Sequence, residues 1–192
     1  MRVTEIWRFP VKSMGGETLL DAEVTDLGIA GDRGWSLFDR TTGTTLTARR
    51  TPDLLFASAR LVDDDLVITL PDGTEVGEGD HAALSTWLGR EVELRSAGEH
   101  NLDEGGVYEV PLDAENDADW VSWTGPGGAF HDSTQTRVSL VSTETLGEWD
   151  RRRFRTNVIV DAGGEDDFVG DRIRVGDVVL DVRKQVDRCV MV

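Results

Sequence analysis

Lysine is almost missing from this sequence. Lys12 and Lys184 stand beside 18 arginines and face 37 Asp and Glu, for a formal net charge of −17 over 192 residues. A surface so rich in carboxylate repels itself at low ionic strength, and dissolved salt screens the repulsion, with a Debye length of about 3 Å at 1 M. The composition therefore reads as halophilic, adapted to high salt, with an ordinary acidic protein as the alternative. It also argues against nucleic acid as a partner, because phosphate binding needs a basic stripe.

Cysteine is scarcer still. Cys189 is the only one, so no internal disulfide can form, which fits a reducing cytosol. Long apolar runs are missing as well, so no transmembrane helix is expected. The opening MRVTEIWRFP has no apolar core of secretion-signal type. A cytoplasmic protein without membrane contact is the resulting expectation. Familiar catalytic signatures are lacking too: there is no Walker A loop, dinucleotide fingerprint or serine nucleophile elbow. His81, His100 and His131 are scattered, with no His-x-His or Cys-x-x-Cys pair to chelate zinc.

What is present is a succession of short apolar or alternating runs separated by turn residues. Val3 to Phe9, Thr18 to Thr25, Trp35 to Asp39, Leu66 to Leu70 and Glu91 to Arg95 read as strands. One helix is expected over Asp80 to Leu88, with Asp80 as N-cap and Gly89 as C-terminal cap. Residues 97–127 are acidic and glycine-rich and read as a linker or long surface loop, with Trp120, Trp123 and Phe130 docking its end on the body. Strand-like runs return at Val138 to Val141, Asn157 to Asp161, Arg172 to Val175 and Val178 to Val182, and a short helix starts near Thr143. The run Cys189 to Val192 looks like a further strand. Many short strands with few helices predict a mainly β, barrel-like α+β protein. The expected parts are 1–96, an acidic linker over 97–127, and 128–192.

The cations fall in telling places. Lys12 sits in PVKSMGG, where an apolar strand enters a turn; its ammonium, the Ser13 hydroxyl and two glycines form a candidate anion cradle. Arg33 lies in GDRGW, flanked by glycines at a strand entrance. Arg151, Arg152, Arg153 and Arg155 form the densest basic cluster, ending in Arg155-Thr156-Asn157 before a strand. Guanidinium groups grip phosphate with two parallel hydrogen bonds. The alternative for each is an ordinary surface ion pair with the abundant carboxylates. Cys189 is similarly two-sided: it reads either as a small buried hydrophobe or, with Arg188 adjacent to lower its pKa, as a thiolate nucleophile or metal ligand.

Taken together, PVKSMGGE, GDRGWSLFD, LTARRTPDLL, RRFRTNVIVD, FVGDRIRVGDVVLDV and DRCVMV resemble, in this order, the segments of MOSC proteins, named for the C-terminal domain of molybdenum cofactor sulfurase. The arrangement is most similar to that of the mitochondrial amidoxime-reducing component and its prokaryotic relatives, where an N-terminal MOSC-type β-barrel domain precedes the MOSC domain. The resemblance implies a molybdenum cofactor (molybdopterin) at the junction of the two parts, with Cys189 as ligand of the metal and catalytic centre. It implies cofactor contacts at Lys12, Ser13, Arg33, Arg155 and Asn157, and more weakly at Thr143. It implies reduction of N-hydroxylated or N-oxide compounds, with electrons from an external ferredoxin, flavoprotein or cytochrome, since no cysteine-rich domain is fused here. A cofactor carrier or storage protein, or a sulfur carrier using a Cys189 persulfide, are the rival readings. Relatives continue well past the cysteine, whereas this sequence stops three residues after it; the MOSC barrel is expected to be incomplete at that end.

Overall fold

The computed structural model describes residues 1–98, 106–111, 119–133 and 135–186. In chain order the elements are β1 (Val3–Arg8), β2 (Glu17–Leu19), β3 (Val24–Thr25), β4 (Gly28–Ile29), β5 (Trp35–Asp39), β6 (Ser58–Val62), β7 (Asp65–Thr69), β8 (Glu75–Val76), α1 (His81–Leu88) and β9 (Val92–Ser96). Then follow β10 (Val107–Pro111), β11 (Trp120–Thr124), β12 (Leu140–Ser142), α2 (Thr143–Leu146), β13 (Val158–Val160), β14 (Arg172–Val175) and β15 (Val178–Asp181). Single 3-10 turns occupy Pro52–Phe56, Arg151–Arg153 and Glu165–Phe168. The mainly β expectation holds. Among the described residues no sheet closes into a barrel.

One sheet matters most for the site. Its order is β12-β13-β1-β2, with β1 antiparallel to both β13 and β2, and β12 parallel to β13. The first strand of the chain is thus paired with one more than 150 positions later, through Val3↔Val160 and Ile6↔Val158. Segments 1–96 and 128–192 both contribute strands to it.

The main apolar core is built from residues 11 to 94. Val11, Met14, Leu37, Leu54, Ile68, Leu84 and Val92 are each almost wholly buried within it. The helix α1 supplies Leu84 on its inward face, with Trp87 and Leu88 packed beside it, as the spacing predicts. Gly89 ends the helix in the left-handed region, at φ 64°. Asp80 takes the N-cap position as expected, but without a side-chain capping bond. Its carbonyl accepts from the Leu84 amide at 3.2 Å, while its carboxylate accepts from the Gly77 amide at 2.8 Å and closes the turn before the helix. Ser142 caps α2, accepting from the Thr145 amide at 3.0 Å.

The segment expected to be linker or loop holds a hairpin. β10 and β11 pair antiparallel from Val107↔Thr124 to Pro111↔Trp120. Tyr108 is 2% exposed and stacks on Trp123 with ring centroids 5.5 Å apart. Acidic composition hides the short alternations VYEV and WVSW, which are sufficient for a paired ribbon once Tyr108 is buried. The expected strand over Cys189 to Val192 lies outside the described residues.

Candidate functional site

Four chain segments meet where β1 leaves its sheet. The Phe9 amide donates to Asp32 Oδ1 at 2.7 Å, and the Arg33 amide donates back to Phe9 O at 2.8 Å. The Phe130 amide donates to Arg33 O at 2.8 Å, and the Trp7 amide to Asn157 O at 2.7 Å. Residues 9–16, 31–35, 129–132 and 155–157 are thereby laced into one junction, brought together from across the whole chain. Val11 and Met14 point into the apolar core, while Lys12 and Ser13 between them are buried on the polar side.

Backbone conformation singles out the same residues. Five non-glycine residues among those described have positive φ: Ser13 (69°), Arg33 (53°), Asp63 (50°), Asp64 (72°) and Arg155 (47°). Asp63 and Asp64 form the two-residue turn between β6 and β7, where positive φ is normal for a primed hairpin turn. The other three are candidate site residues. A left-handed backbone at Ser, and especially at Arg, is unfavourable and persists only where surroundings impose it.

The cations are held tightly. Lys12 is 3% exposed; its Nζ donates to Phe130 O at 3.2 Å, pairs with the Asp132 carboxylate, and lies 4.5 Å from the Tyr108 ring centroid. Burial lowers its pKa, with Arg155 and Arg33 acting in the same sense against the pull of Asp132. Arg33 pairs with the fully buried Asp32 carboxylate and donates through Nη2 to Arg155 O at 3.2 Å. Arg155 donates from Nε to Met14 O at 2.9 Å and from Nη2 to Val11 O at 3.4 Å. Phe9 lies beneath both guanidinium groups, at 5.5 Å from Arg33 and 5.2 Å from Arg155. Asn157 ties the strands: Nδ2 donates to Trp7 O at 3.2 Å while Oδ1 accepts from the Ser139 amide and hydroxyl at 3.2 and 3.1 Å. Ser13 Oγ accepts from the Ala48 amide at 3.0 Å.

The glycines of PVKSMGG behave differently from the cradle that the sequence suggested. A Cβ at Gly16 would lie 2.1 Å from Arg8 O and 2.6 Å from Phe9 Cδ1, so its bare backbone is needed for packing against β1. Thr143 is not brought to the junction. It starts α2 beyond the C-terminal end of β12, whereas Asn157 precedes the N-terminal end of the parallel β13. Cys189 lies outside the described residues. Among the described residues no group of three or more His, Cys, Asp or Glu side chains could hold a metal ion.

Beside the junction is a cleft of about 80 Å³ lined by Arg33, His131, Asp132, Arg137, Asn157 and Val186, among others. Val186 is the last described residue of the chain, three positions before Cys189. His131, Asp132 and Arg137 were not singled out by sequence reasoning. His131 is 4% exposed and donates through Nε2 to Leu27 O at 3.0 Å; burial, aided by Arg33, pushes its pKa down to about 4. The Asp132 side chain is mostly exposed; desolvation works against its charge, but Lys12, Arg33 and Arg155 outweigh it and hold the carboxyl at about 2. Arg137 Nη1 is buried with no hydrogen-bond partner. A signal for Arg137 did exist: like Arg33, it is a cation at the entrance of an apolar run, Val138 to Val141. A larger cleft of about 680 Å³, lined by Arg40, His81, Ser85 and Arg90, shares no residue with the junction. Its arginines are engaged, Arg90 with Asp39 and Arg40 with Glu91.

The fold and junction define a mainly β protein with a buried, arginine-lined polar site assembled from both ends of the chain. Residues 1–104 match the MOSC N-terminal beta barrel domain and residues 125–192 the MOSC domain, so the chain belongs to the MOSC family. MOSC domains are associated with molybdenum cofactor binding and with sulfurase-like proteins. No curated protein matches the chain. No helix among the described residues is long and apolar enough to cross a membrane.

Proposed function

We propose that this protein binds the molybdenum cofactor at the junction and reduces N-hydroxylated or N-oxide compounds, with Cys189 as the thiolate ligand of the metal. The observation that carries the reading is the convergence of Lys12, Arg33 and Arg155 on one buried spot in a chain of net charge −17. Three cations gathered in a low-dielectric place suit an anionic ligand. The donor set fits the cofactor's anionic end, since Arg137 Nη1 is buried there with no acceptor.

In this reading Arg33 and Arg155 orient the bound group, Asn157 fixes the strands that carry them, and Phe9 keeps water from the inner face of both guanidiniums. The bound cofactor supplies a metal that changes oxidation state by two electrons. The overall change breaks the substrate N–O bond, and two electrons and two protons convert the oxygen to water. The electrons come from an external donor protein of ferredoxin, flavoprotein or cytochrome type.

Cys189→Ser is the test. In protein from a host that makes the cofactor, this substitution should bring reduction of a test hydroxylamine to background with an artificial electron donor. Pterin should be partly retained. Folded, pterin-loaded Cys189→Ser protein that still turns over at the parent rate would sink the thiolate assignment. Parent protein that carries pterin and metal but never reduces the substrate would point to a carrier. Parent protein with a persulfide and no metal would point to sulfur transfer.

A further inference from the structure

The outer end of the basic run is fixed in shape yet open to solvent. Trp149 and Arg151 to Arg153 stand on the turn that leads towards β13. The Trp149 amide donates to Leu146 O at 3.1 Å, the Arg153 amide to Asp150 O at 3.1 Å, and the Arg152 amide to Asp150 Oδ1 at 3.0 Å. Trp149 is nevertheless 56% exposed, and the Arg153 guanidinium lies over its ring, 4.5 Å from the centroid. Arg151 and Arg152 meet Glu5 and Asp150, while Arg153 pairs with no carboxylate among the described residues. Arg40 and Arg60, on other faces, stand singly, each opposite its own carboxylate on Glu91 and Glu75.

A chain of contacts runs from this turn to the junction. Arg151 Nη1 donates to Glu5 Oε1, and the other oxygen of Glu5 accepts from Trp7 Nε1 at 2.8 Å. Trp7 stacks on Phe9 with ring centroids 6.0 Å apart, and Phe9 lies beneath Arg33 and Arg155. The reductase reading needs an electron-carrying protein, and electron transfer weakens steeply with distance, so the carrier has to dock on surface that connects to the junction. Tryptophan and arginine exposed together are the residue types that dominate binding at interfaces, and a turn already fixed in shape loses little entropy when a partner covers it. Most of the surface of a chain at −17 repels an acidic protein, whereas on this turn three arginines outnumber Glu148 and Asp150.

We propose that Trp149 and Arg153, flanked by Arg151 and Arg152, are the docking face for an acidic one-electron carrier protein of [2Fe–2S] ferredoxin type. The identity of the partner rests on the reductase reading; the docking itself does not require bound cofactor. Each docking delivers one electron and leaves the carrier oxidised, so two in succession supply the pair that cleavage of the N–O bond consumes. Such an encounter is transient and belongs with the small interfaces, below about 1,200 Å².

Calorimetric titration of a plant-type [2Fe–2S] ferredoxin into the full-length protein without cofactor, in about 0.1 M and about 1 M potassium chloride, tests the face directly. The parent should bind in both. Arg153→Glu and Trp149→Ala should each weaken binding by roughly tenfold or more. Arg40→Glu, at the larger cleft and with the same change in net charge as Arg153→Glu, should change it by less than about threefold. At the higher salt the Debye length is about 3 Å, so the loss in Arg153→Glu should shrink while that in Trp149→Ala persists. Both residues are exposed, and the variants should unfold close to the parent. If Arg153→Glu does not fold, Arg153→Gln carries the test, with a loss of about fivefold expected. In cofactor-loaded protein, Arg153→Glu should raise the KM for ferredoxin by a similar factor and leave turnover with an artificial electron donor unchanged. No binding by the parent at either salt, parent-like binding by either variant, or an equal loss in Arg40→Glu each overturns the proposal. Ferredoxin binding through Trp149 and Arg153 in protein that reduces no hydroxylamine even with the artificial donor would sink the reductase reading and leave the docking face standing. Turnover with the artificial donor and no ferredoxin binding would do the reverse.

Discussion

Arg152 and Arg155 stand three residues apart in the same basic run, yet they belong to different environments. Arg152 lies on the surface, on the 3-10 turn Arg151–Arg153, with its guanidinium on the neighbouring Asp150. Arg155 turns inward at φ 47°, donates to carbonyls of Val11 and Met14 more than 140 positions earlier, and covers the Phe9 ring. A surface arginine exchanges water for a carboxylate at nearly equal free energy. An inward arginine satisfies buried carbonyls that water cannot reach, so its removal leaves Met14 O unpaired and Val11 O with the Met14 amide alone. Density of charge in the sequence marks the exposed run; the handed turn that ends it marks the site.

The sharpest way to break this contrast is at Asp32, whose side chain is fully buried and holds both Arg33 and the Phe9 amide. Asp32→Ala leaves a guanidinium and an amide without partners and should cost about 3–5 kcal/mol in denaturant unfolding. A loss below about 1 kcal/mol would mean that the junction is not held by its buried ion pair.

Next in size is an acid limb set by His131. Burial first, then Arg33, hold its imidazole neutral down to about 4, against an ordinary value of 6.5. The unfolded chain takes up this proton as pH falls through 6.5, while the folded chain resists until about 4. Stability is therefore full above pH 6.5 and declines between 6.5 and 4, by about 3 kcal/mol for this one group. Asp132, held at about 2 from 3.8, loses its stabilising charge only below that window. Unfolding of His131→Gln beside the parent across pH 4 to 7 isolates the limb: the difference between them should shrink towards low pH. A constant difference would show that His131 titrates normally.

Much of the fold was legible because strand alternation and turn chemistry are local. Trp35 to Asp39 and Arg172 to Val175 form as read, and Gly89 caps as its type predicts. The candidate site was legible in part as a set of neighbours: Lys12, Ser13, Arg33, Arg155 and Asn157 come together, on backbone geometry that no residue type encodes. What escaped was non-local. Tyr108 sits in an acidic stretch that reads as linker or surface loop until a lysine lies against its ring. His131 and Arg137 gain meaning only from neighbours at Leu27 and Arg33. Asp80 takes the N-cap position its type predicts, but its carboxylate pairs with the Gly77 amide, which residue type does not encode.

Salt should act more weakly than either change at the junction. The buried pairs are little screened, so the response comes from repulsion among the 37 carboxylates. We expect raising potassium chloride from about 0.1 M to above 1 M to add on the order of 1 kcal/mol, or roughly 2–4 °C in thermal midpoint. A midpoint that stays flat or falls would remove the case for adaptation to high salt.

Smallest of all should be the effect of Arg152→Ala. Its Nε and Nη2 both face Asp150, and that pairing holds the Asp150 carboxyl at about 2. Such a shift in an exposed pair is not a measure of stability, because water solvates both groups when the partner is lost. The Asp150 carboxylate would still accept from the Arg152 backbone amide at 3.0 Å, which the substitution leaves in place. Thermal unfolding of Arg152→Ala should therefore coincide with that of the parent, at low and high salt alike. Arg155→Ala, measured in parallel, should unfold at a clearly lower temperature, since the Met14 carbonyl loses its donor and Val11 O keeps only the Met14 amide. Equal shifts in the two variants would show that the basic run acts as one unit and that the inward turn at Arg155 has no special role.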